Sequence, residues 1–132
     1  MKPVQRLTRL RSMSPHDLML AVDAHLAHVW MVRAFLKHSD EAQDDDELAE
    51  VHRELYDYML ALGGPLKEGN GDEYLKLARK KLGKLKKATE KFAQLQPQIS
   101  THTNFQMAVV SLRTAVGEVA KLLEVPDAIG SN

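Results

Sequence analysis

The sequence predicts an all-α fold, an antiparallel four-helix bundle with up-down-up-down connectivity. Three observations predict it. Apolar residues recur at three- and four-residue intervals through four long segments. Proline, glycine and capping side chains punctuate the ends of those segments. The connections between them are short, which sets consecutive helices side by side and reversed. No alternating strand pattern competes.

The first helix starts at Ser14-Pro15-His16-Asp17, a capping hydroxyl followed by a proline at the first helical position and an acid at the positive end of the dipole. It is expected to run to about residue 38, where Ser39-Asp40-Glu41 opens an acidic connection. The second begins in Asp44-Asp45-Asp46-Glu47 and is expected to stop at Gly63-Gly64-Pro65. A loop over 64–71 follows. The third spans 72–96 and is expected to end at Pro97, and Ser100 or Thr101 caps the fourth, which reaches about residue 124 before Pro126. The chain therefore divides into a basic arm (1–13), the helical domain (14–125) and a frayed tail (126–132).

Each helix has a core stripe. In the fourth it is Phe105, Val109, Leu112, Val116, Val119 and Leu123; in the second, Leu48, Val51, Leu55, Tyr58, Met59 and Leu62. The third offers Leu75, Ala78, Leu82, Leu85, Phe92 and Ala93, with Gly83 on the opposite side. The first helix differs. Besides Leu18, Val22, Val29, Val32 and Leu36 it carries a second apolar side with Met19, Leu26 and Trp30. An all-round apolar helix needs either a central position or a partner. That surplus predicts a homo-oligomer joined through Met19, Leu26 and Trp30, unless the arm folds back over them.

Composition narrows the function classes. The 132 residues suit one domain, and eighteen basic residues balance eighteen acidic ones, so bulk charge points to no polyanion or membrane. There is no cysteine, which removes disulfides, thiolate metal sites and a cysteine nucleophile. The first fourteen residues lack the apolar run of a secretory signal, and the most apolar stretch, 18–36, is broken by Asp23, His25, His28 and Arg33. A soluble cytoplasmic protein is expected.

Two constellations suggest chemistry. On a helical wheel His25 and His28 fall in the apolar arc of the first helix and His52 in that of the second, so three imidazoles are expected to converge within the bundle. Histidines so gathered either bind a divalent transition metal or form a buried polar network with Tyr56 and Thr89. The Glu-x-x-His pairs of di-iron bundles are missing. The third helix carries a lysine face including Lys80, Lys84, Lys87 and Lys91, which either holds RNA or another anion or pairs with the acids of the second helix. Arg33-x4-His38 resembles the arginine–histidine signature of the HEPN ribonucleases, small helical bundles that act on RNA from a dimer interface. Ala34 stands where that signature usually has a polar residue, and Arg11-x4-His16 repeats the spacing. With no catalytic constellation in view, the sequence reads best as a non-enzymatic interaction module, needing no cofactor and having a protein partner or a second copy of itself. The alternatives are a metal-binding bundle and an RNA- or anion-binding protein.

Overall fold

The computed structural model describes residues 13–124. Within them the chain forms five helices: α1 (Pro15–Lys37), α2 (Asp40–Asp44), α3 (Asp46–Glu68), α4 (Gly71–Ile99) and α5 (Thr103–Leu123). No strand occurs among the described residues. The basic arm, apart from Met13, and the proposed frayed tail lie outside them.

Side-chain caps set the helix starts. Ser14 Oγ accepts from the Asp17 amide at 3.0 Å, Asp45 Oδ1 from Leu48 at 2.9 Å and Asn70 Oδ1 from Glu73 at 3.1 Å. The acidic connection is itself helical. Ser39 Oγ donates to the Leu36 carbonyl at 2.7 Å and accepts from the Ala42 amide at 3.2 Å, closing α1 and opening α2. α5 starts differently from expectation: His102, rather than Ser100 or Thr101, is its cap, with Nδ1 accepting from the Asn104 amide at 3.0 Å.

Two prolines do not stop their helices. α3 continues through Gly63, Gly64 and Pro65 to Glu68 and ends at Gly69, whose φ of 69° is left-handed. A proline normally excludes the helical conformation from the residue before it by colliding with that residue's Cβ. Gly64 has none. Continuation also carries Leu66 against the core, one turn past buried Leu62. α4 likewise passes Pro97 and reaches Ile99, which packs on the core.

The core stripes fall where periodicity put them. Leu48, Leu55, Leu85, Phe92, Leu112 and Val119 are fully enclosed, and Leu82 and Ala93 are partly so. α1 packs against both α3 and α5, α4 packs against the same two, and α1 also meets α4. Cross-helix pairs fix the register. The Tyr58 hydroxyl donates to the Ala78 carbonyl at 3.1 Å and Arg79 Nε to the Leu123 carbonyl at 3.0 Å. Arg113 grips Glu90 through Nη2 at 2.7 Å and Nε at 3.3 Å, and Phe35 meets Phe105 edge-on at 4.9 Å. The Tyr74 hydroxyl donates to Asp23 Oδ1 at 2.9 Å, joining the first turn of α4 to α1.

Candidate functional site on helix α1

Three helices press on α1, so its buried arc is wider than one stripe. Met19 and Leu26, expected at an oligomer surface, are enclosed in the core of the chain itself, with 1% and 0% exposure. Of the three residues of that expected interface only Trp30 reaches solvent. The outward line is a different one: Leu20, Ala24, Ala27 and Met31 are all exposed and follow each other at spacings of four, three and four. Leu20 is 49% exposed and Met31 65%. Beside this line, across a groove lined by Val32, Phe35 and Ala108, lies the exposed Met107 of α5. By length and composition alone α1 is also apolar enough to cross a membrane, a test that core helices of soluble proteins pass as well.

The side of α1 turned to α3 carries polar chemistry among aromatic rings. Arg33 is 92% buried, at 8% exposure. Its guanidinium carbon lies 4.1 Å from the Trp30 ring centroid and 5.2 Å from that of Tyr56, whose own centroids are 6.2 Å apart. Such stacking contributes about 0.5–2 kcal/mol per contact, depending on desolvation. Nε is buried without a hydrogen-bond partner, and among the described residues no carboxylate comes within ion-pair distance of Arg33. His52 of α3 is half-buried nearby in electrostatic terms. Burial holds its pKa below the ordinary 6.5, and the charges of Arg53, Arg33 and Lys37 lower it further.

The histidines do not form the expected cluster. His25 is half-buried, but His28 is exposed. Among the described residues no three His, Cys, Asp or Glu side chains gather in a way that would hold a metal. The alternative polar network is also missing. Thr89 bonds its own helix, donating to the Leu85 carbonyl at 2.8 Å, and the Tyr56 ring lies tilted beside Trp30.

One lysine of the lysine face reaches the acids of α3. Lys91 Nζ lies 3.6 Å from Glu47 and 3.8 Å from Glu50. Lys84 and Lys87 line one groove with Glu50 and Glu54, while Lys80 points to solvent. On the far side of α4 Glu90 takes the Arg113 pair, whose hydrogen bond holds its carboxyl below the usual range. The two residues of the Arg33-x4-His38 motif part company: Arg33 is enclosed against α3, and exposed His38 ends α1 as its C-cap.

Set against family models, curated proteins and solved structures, the chain matches none of them.

Proposed function

We propose that this all-α chain is a non-enzymatic interaction module, an antiparallel up-down-up-down bundle of the cytoplasm that pairs with a second copy of itself through the outer face of α1. The cross-helix pairs support the bundle. Glu47 and Glu50 meet Lys91 while Tyr58 meets Ala78; Arg79 meets Leu123 while Glu90 meets Arg113. In each pairing the numbers rise on one helix as they fall on the other. The short α2 is a detour within the first connection.

The observation that carries the pairing is the line Leu20, Ala24, Ala27, Met31. Large apolar residues stand at its ends and alanines at its middle. Two copies crossed about a two-fold axis near the alanines set Leu20 of each beside Met31 of the other, which is a self-complementary arrangement. Small central residues let the two helix backbones approach closely. Met107 widens the apolar patch on the α5 side, and His16, Asp17 and His38 bound it with polar groups.

Sedimentation or light scattering tests this. Wild type is expected at twice the 14.8 kDa chain mass, and Leu20→Glu combined with Met31→Glu at the single-chain mass with an unchanged circular dichroism spectrum. A monomeric wild type at high micromolar concentration, or a double variant that pairs as wild type does, overturns the reading.

A further inference from the structure

We propose that the Arg33 guanidinium, which lies against the Trp30 and Tyr56 rings, is a binding site for a carboxylate carried on a flat or apolar body. This goes beyond the self-pairing face and does not depend on it, since Leu20 and Met31 look outward whereas Arg33 is turned to α3.

A buried arginine normally finds a carboxylate, because an uncompensated cation away from water is costly. Arg33 has none among the described residues. What it has instead is aromatic: its central carbon lies 4.1 Å from the Trp30 centroid and 5.2 Å from that of Tyr56, and its N–H donors find no acceptor among the described residues. Of those donors Nε is enclosed. The two Nη groups are not enclosed and have no partner among the described residues, so they form the part of the cation that a ligand meets. A pair of parallel N–H donors at the end of a rigid plane matches the two oxygens of a carboxylate.

The surroundings choose the rest of the ligand. Trp30 and Tyr56 are 41% and 38% exposed, so a flat apolar body attached to the carboxylate gains ring contact while its oxygens reach Arg33. The charges that act on His52 are positive. Arg53 on α3 and Lys37 on α1 join Arg33 in acting on His52, so an arriving anion relieves repulsion instead of adding it.

The test is a nuclear magnetic resonance titration of the intact wild-type chain with benzoate. The readouts are the Arg33 Nε–H and the indole N–H of Trp30, the single tryptophan of the sequence. Both resonances are expected to shift saturably with benzoate and to stay put with benzamide, its neutral counterpart. Acetate, which lacks the ring, is expected to bind more weakly by roughly tenfold or more, and inorganic phosphate more weakly than benzoate. Arg33→Lys, which keeps the charge but loses the planar fork, is expected to lose at least the same factor while its melting curve reports whether it remains folded. Benzamide shifts equal to those of benzoate, phosphate binding tighter than benzoate, or no saturation in the millimolar range would each overturn the assignment on wild type alone.

Discussion

Alanine substituted at two glycines of α4 should change stability in opposite directions. Gly71 opens the helix and is buried against the start of α1. A Cβ built there falls 2.6 Å from the Pro15 carbonyl carbon, 2.7 Å from its oxygen and 2.8 Å from the His16 nitrogen. The nearest approach is about 0.8 Å short of the 3.4 Å at which ordinary contact begins. All three atoms are backbone, at the first turn of a helix, so none can swing aside as a side chain would. Forcing the first turns of α1 and α4 apart costs about 1–3 kcal/mol by analogy with other overpacked sites. Alanine's advantage over glycine in a helix is at most about 1 kcal/mol and smaller at the first position. The net expectation for Gly71→Ala is a loss of about 1–2 kcal/mol. Gly83 lies mid-helix, exposed, with nothing within 4 Å of its would-be Cβ. Gly83→Ala therefore gains about 0.5–1 kcal/mol, from helix propensity and a less flexible unfolded chain. Thermal and urea unfolding followed by circular dichroism should place the two variants on either side of wild type, at about 4 °C of melting temperature per kcal/mol. A Gly71→Ala protein as stable as wild type would refute the close approach of α1 and α4.

Leu112 is fully enclosed, and Leu112→Ala should cost about 2–5 kcal/mol with its urea slope unchanged; a neutral result would remove α5 from the core. His52 has a folded pKa below its ordinary 6.5, so neutral His52 contributes stability that is full above 6.5 and lost as pH falls below it toward the folded value. Unfolding from pH 8 to pH 5 should show wild type losing more stability than His52→Gln, and parallel profiles would contradict the lowered pKa.

Helix starts were more legible than helix stops. Starts are written in single side chains with one local job, so Ser14 and the acids before α3 could be recognised from their order alone. Stops depend on what the next turn gains from packing. Pro65 and Pro97 lie in turns that carry Leu66 and Ile99 onto the core, and that burial outweighs a missing amide near a helix end. The histidine cap of α5 escaped notice for a related reason. A neutral imidazole nitrogen accepts a backbone amide as a hydroxyl does, but the sequence offered Ser100 and Thr101 beside it.

The outer face of α1 was illegible for a more physical reason. Hydrophobic patterning finds the side rich in leucine and valine and takes the remaining large apolar residues as surface. That inference assumes a narrow contact, yet α1 is flanked by α3 and α5 and also meets α4. A wide contact turns Met19, Leu26 and Arg33, spaced by seven residues each, into one buried line facing α3. What remains outside is marked by two alanines, which carry little hydrophobic signal, and His28 goes outward with them. The same geometry explains Arg33. A charged residue one heptad past an enclosed leucine is drawn into the contact, where only stacking on Trp30 and Tyr56 offsets its lost hydration. The buried cation and the exposed Leu20–Met31 line thus have one origin, the number of neighbours that α1 has to satisfy.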